Sequence, residues 1–93
     1  MEDDQRRYLL ESYEGLLADI RREAEAEASP SASNRYWIDN CDRIVAWLEG
    51  GPKPSEEVRE FLEDRLDGFD DATNFSSLAY EHDALVAAIE DLR

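Results

Sequence analysis

Hydrophobic positions recur along this chain at helical spacing. At about 100° per residue, Leu9, Leu10, Tyr13, Leu16, Leu17, Ile20 and Ala24 share one face, which predicts an amphipathic helix over residues 3–28. The Ser29-Pro30-Ser31-Ala32-Ser33 stretch interrupts the pattern with small turn residues, any of which could cap the next helix. A second helix over residues 34–49 turns Trp37, Ile38, Cys41, Ile44, Val45 and Leu48 inward, and Gly50-Gly51-Pro52 stops it. Ser55 suits the N-cap of a third helix. Glu56 and Glu57 occupy its first turn, where the helix dipole favours acids, and Val58, Phe61, Leu62 and Leu66 form its inner face up to Gly68. After a loop around Phe69-Asp70-Asp71, a heptad-like stripe of Phe75, Leu78, Ala79, His82, Leu85, Val86, Ile89 and Leu92 predicts a fourth helix reaching the C-terminus. No segment alternates with period two. The expected fold is therefore all-α, a compact antiparallel bundle of four helices with short connections.

Ninety-three residues provide one hydrophobic core, so a single acidic helical domain over residues 1–93 is expected. The longest uninterrupted apolar run, residues 84–89, is far too short to span a bilayer. One cysteine allows no internal disulfide and no cysteine-based zinc site, and together with the acidic opening MEDD it points to a reducing cytoplasm. Against 24 acidic residues stand nine Arg and one Lys, a net charge of −14. That sign argues against direct nucleic-acid binding, which works by neutralising phosphates.

Catalytic and metal chemistry find few candidates. His82 and Cys41 are the only residues of their types, and helical phase puts each on the apolar face of its helix, where both read as core. The chain has no Gly-rich phosphate loop, no HExxH and no GxSxG. The run Asp67-Gly68-Phe69-Asp70-Asp71 resembles part of a calcium loop. Aligning Gly68 with the EF-hand glycine, however, puts Arg65 and Asn74 where carboxylates are needed. The expectation is a protein that is no enzyme and holds no metal or cofactor.

Charge placement is more informative than total charge. Residues 1–28 carry nine acids and four bases, and residues 50–72 carry eight acids and three bases. In the first helix, Glu2 with Arg6 and Asp3 with Arg7 stand at i, i+4, a spacing that would relieve the local field. In the third, Glu56, Glu57, Glu60, Glu63, Asp64 and Asp67 fall within an arc of about 120° opposite the apolar face, and Asp70 and Asp71 prolong the stripe. These carboxylates are spaced along the axis at roughly 3 Å per charge, close to the phosphate spacing of one DNA strand. The plainer reading is the wet face of an amphipathic helix, or the acidic surface of a salt-adapted proteome.

Tyr36, Asn40, Arg43 and Trp47 form a second stripe on the second helix, about 90° from its core face. Tyr36, Arg43 and Trp47 are of the types that dominate interface hot spots. Alternatively, Trp47 covers a helix seam and Tyr36 keeps its hydroxyl in water. Tyr80, Ala84, Ala87 and Ala88 leave the back of the fourth helix weakly polar, which suggests either a central helix or a homodimer contact.

In size, acidity and helicity the chain resembles phage-encoded DNA mimics, anti-CRISPR proteins and acidic immunity proteins that block nucleases. The likeness lies in composition rather than in any motif. It implies a small inhibitor in the cytoplasm, the host's if phage-encoded, that binds a basic nucleic-acid-handling protein or complex by mimicking nucleic-acid charge. The alternative is an acidic adaptor or oligomerisation domain from a salt-adapted cytoplasm. Under the first reading the partner-binding residues are Glu56, Glu57, Glu60, Glu63, Asp64, Asp67, Asp70, Asp71, Tyr36, Arg43 and Trp47.

Overall fold

The structure, a computed structural model, describes residues 1–26, 31–69 and 76–93. Those residues form four helices and no strand: α1 (Asp3–Ala26), α2 (Ala32–Leu48), α3 (Glu56–Phe69) and α4 (Ser76–Leu92). The all-α, four-helix architecture expected from the periodicity is the one adopted. α1 lies along α2 and α3 along α4, with α1 also packed on α4 and α2 making a shorter approach to α3. Among the described residues, the backbones of the two diagonal pairs do not come close. The resulting body measures 39 × 32 × 21 Å, about two helix diameters thick.

Local chemistry accounts for the helix ends. The Ser31 hydroxyl accepts a hydrogen bond from the Asn34 amide at 3.1 Å, so α2 starts at Ala32, two residues before the expected position. At the other end, the Gly50 amide donates to the Trp47 carbonyl at 3.0 Å and the Gly51 amide to the Ala46 carbonyl at 2.9 Å. These are the paired bonds of a Schellman motif, with Gly50 at φ 104°, a region that disfavours side chains. Gly51 is required for a different reason: a Cβ there would lie 2.6 Å from the Ala46 oxygen. The Ser55 carbonyl accepts from Val58 at 3.1 Å and so opens α3.

The core is drawn from all four helices. Leu9, Tyr13 and Leu17 of α1 meet Cys41, Ile44 and Leu48 of α2, Val58, Phe61 and Leu62 of α3, and Leu85, Ile89 and Leu92 of α4. Each large aliphatic side chain buried this way contributes on the order of 1.5–3 kcal/mol, which is why the apolar stripes determine the fold.

Three local expectations are corrected. Of the two alternatives for the back of the fourth helix, the central one holds at Ala84 and Ala88, which are fully buried. Their small side chains let neighbouring backbones approach α4, while Ala79 of the expected core stripe is exposed. Asn40, placed on the outer stripe of the second helix, is also buried, and its amide donates back to the Tyr36 carbonyl at 2.8 Å. The pairs Glu2–Arg6 and Asp3–Arg7 do not close, since ordering two exposed long side chains offsets most of the gain. Asp70, Asp71, Phe75 and the part of the first helix assigned beyond Ala26 lie outside the described residues.

Three of the glycines should respond to alanine in opposite directions. Gly15, exposed in the middle of α1 with open space around its Cα, should gain about 0.5–1 kcal/mol on substitution. Gly50→Ala should lose about 1–2 kcal/mol from its left-handed backbone, and Gly51→Ala should also be destabilised. Urea unfolding of the three variants checks the pattern, and a Gly50→Ala protein as stable as the wild type would refute it.

Candidate partner-binding face

The six described carboxylates of the third-helix stripe share one face of α3, but they differ in environment. Arg59 holds two of them, with Nη2 2.9 Å from Glu56 and Nε 3.5 Å from Glu63. Arg93, just past α4, adds a contact to Glu63 at 3.8 Å, and Arg43 reaches across from α2 to Glu57 at 3.7 Å. Half the stripe is thus neutralised by the chain's own guanidinium groups. Glu60, Asp64 and Asp67 are exposed and, among the described residues, carry no ion pair or hydrogen bond. They stand four and three residues apart, about 6 and 4.5 Å along the helix axis.

Because α2 and α3 approach over only a short length, a cleft of about 340 Å³ opens between the first turns of α2 and the last turns of α3. Tyr36 and Trp37 line one side, and Phe61, Asp64, Arg65 and Gly68 the other. The rings meet edge to face: Trp37 and Phe61 have centroids 5.0 Å apart at 83°, and Tyr36 and Phe61 5.7 Å apart at 66°. Phe61 is buried at the floor, whereas Tyr36 is 40% exposed. The cleft therefore joins two residues singled out from the sequence as partner-binding, Tyr36 and Asp64, to four that were not.

Arg65 is the most informative of those four. At about 100° per residue it falls between Phe61 and Val58, in the middle of the apolar face of α3. A guanidinium at that phase was the signal available in the sequence. In the structure it is half-buried, with its central carbon 5.3 Å from the Trp37 ring centroid, a cation–π contact. It has no ion pair among the described residues, and its Nε finds no acceptor there. Its charge extends into the core. Burial pushes the Tyr13 phenol up to about 12 and the Cys41 thiol up to about 11, and in both cases Arg65 pulls the other way. At neutral pH Cys41 is thus a protonated, buried thiol. It sits on α2 and His82 on α4, helices whose backbones do not come close among the described residues.

Arg43 and Trp47 lie elsewhere on α2. Arg43 is exposed and engaged with Glu57, and Trp47 is half-buried against the core near the C-terminal end of the helix. Trp47 follows Tyr36 by 11 residues, about 16 Å of axial rise, and does not line the cleft. On α4, Tyr80 is exposed at 42%, and Tyr8 meets it edge to face at 5.0 Å.

Comparison with protein-family models, with characterised proteins and with solved structures finds no match to this chain.

Crowding of negative charge is visible at one further point. Glu14 of α1 and Glu49, the residue that caps α2, face each other. The hydrogen bond they share on protonation raises the Glu14 pKa, and slight desolvation and repulsion from Glu49 and Glu11 add to the rise. A carboxyl whose pKa is raised on folding binds its proton more tightly in the native state. Stability should therefore rise as pH falls through the raised value and decline again on the way back up. Melting temperatures at pH 7 and pH 5 should show a larger gain for the wild type than for Glu49→Gln. Equal gains would mean that this contact is not under repulsion.

Proposed function

We propose that the protein is a small acidic binding protein that docks the exposed face of α3 onto a basic, nucleic-acid-handling partner and competes there with nucleic acid. The observation that carries this reading is the row of Glu60, Asp64 and Asp67, which have no partner among the described residues while Arg43, Arg59 and Arg93 neutralise their neighbours. A carboxylate kept only for solvation has no need to share a face with its like, because like charges one turn apart destabilise a helix by a few tenths of a kcal/mol. Against a partner's Lys and Arg side chains the same row supplies long-range steering and selectivity. An open aromatic cleft beside it supplies the apolar contact area that charge alone lacks.

A second reading also draws support from the structure. The neutralised half of the stripe, with Arg43 and Arg93 bridging between helices, suits an acidic adaptor or self-associating domain whose charge serves solubility in a salty cytoplasm. The exposed Tyr80 on α4 would then be the natural contact for a second copy.

The readings separate when a nuclease and a CRISPR effector complex are passed over the immobilised protein at low and high salt. Under the first, one of them associates with a steep salt dependence and releases its nucleic acid on binding. The double reversal Glu60→Lys/Asp67→Lys should abolish that association with α3 still folded, since both residues lie opposite Val58, Phe61 and Leu62. Unchanged binding by the double reversal, or a partner that retains its nucleic acid while bound, would reject mimicry.

A further inference from the structure

The cleft between α2 and α3 points to the chemistry of the partner group that enters it. We propose that it receives an arginine side chain of the basic partner, the guanidinium lying against the Tyr36 ring and pairing with the Asp64 carboxylate. This deepens the partner-binding reading and rests on it.

Three observations support the assignment. The cleft already holds one guanidinium on an aromatic face, because Arg65 stacks on Trp37, so the geometry suits a planar cation against a ring. The Tyr36 ring is the aromatic surface of the cleft that remains accessible, while Phe61 forms the floor and Trp37 is half-buried under Arg65. Asp64 lies on the same cleft wall as Arg65, exposed and unpaired, with Glu60 and Asp67 one turn away on either side.

A cation entering the cleft thus meets Asp64 and the exposed Tyr36, with Glu60 and Asp67 one turn from Asp64 along the helix to steer it. Arg65 is directed toward Trp37 and the buried Tyr13. An anion, by contrast, would have to reach Arg65 past Asp64 on a molecule of net charge −14. Arginine suits the site better than lysine. Its planar fork can stack on Tyr36 and present two donors to one carboxylate, whereas a lysine ammonium is a compact, strongly hydrated point charge.

The test uses Trp37 as reporter in a Trp47→Phe background, with hexa-arginine, hexa-lysine and hexa-glutamate as probes. Hexa-arginine should perturb Trp37 emission saturably and bind about three- to fivefold more tightly than hexa-lysine, the size of an exposed cation–π contact. Tyr36→Leu and Asp64→Asn, each checked for native helicity, should remove that preference. Glu60→Lys/Asp67→Lys should weaken both cationic peptides and leave the preference in place. Equal affinities, a preference that survives Tyr36→Leu, or a response to hexa-glutamate would overturn the arginine assignment while leaving the acidic face as a binding surface. Failure of both cationic peptides to bind would overturn the assignment and the partner-binding reading together.

Discussion

Twenty-four carboxylates and ten bases have to be arranged around one small core, and the arrangement found places a polar clasp on every seam between packed helices. Arg21 of α1 grips Asp42 of α2 with two hydrogen bonds of 2.7 and 2.8 Å. The next residue, Arg43, turns the other way to Glu57 of α3. Glu63 of α3 meets Arg93 at the end of α4, and the Tyr8 hydroxyl of α1 donates to Glu81 of α4 at 3.4 Å. None of these contacts is fully buried, so each is worth at most about 1 kcal/mol and weakens with salt. Their larger effect is on placement: the two clasps that α3 joins hold Glu57 and Glu63, and among the described residues Glu60, Asp64 and Asp67 carry no ion pair.

The cleft has a similar origin. α3 carries a guanidinium within its apolar face, at Arg65, and α2 opens with two adjacent aromatics, Tyr36 and Trp37. A long charged side chain cannot be packed like a leucine without leaving its donors unpaired, and here the guanidinium is held on the Trp37 ring at the edge of the core. The cleft opens between the two helices at that end, and Arg43 meets Glu57 farther along α2. One arginine thus both limits the packing of α2 on α3 and shapes the recess beside the carboxylates. The same guanidinium sets its charge beside the buried Tyr13 phenol, so the recess and the core are electrostatically linked.

Much of the fold was legible in the sequence because large apolar residues at helical spacing and the Gly50-Gly51-Pro52 stop are local signals. Leu9, Tyr13, Leu17, Ile44, Val58, Phe61, Leu62, Leu85 and Ile89 are buried where the periodicity puts them. Whether the chain itself covers Ala84 and Ala88 was left open by the sequence, because alanine contributes little to an apolar stripe and α4 has apolar residues on more than one face. Asn40 was misassigned because a side chain that bonds back to its own helix can be buried without any signal at longer range. The acidic stripe was legible as a stripe, since helical phase is set by position alone. Its division into paired and unpaired carboxylates was not, because Arg43 and Arg93 reach it from other helices. The aromatic cleft likewise depends on how closely two helices approach, which no single-helix pattern encodes.

That the unpaired carboxylates of α3 meet a partner rather than water is the claim on which the functional account turns. Carbodiimide labelling of Asp and Glu side chains, read residue by residue with and without a basic nuclease or effector complex, measures it directly. The account predicts that Glu60, Asp64 and Asp67 are labelled in the free protein and protected in the complex, while exposed acids at Asp3, Asp4 and Glu25 remain labelled throughout. Labelling of Glu60, Asp64 and Asp67 that stays unchanged in the presence of every such protein would contradict it.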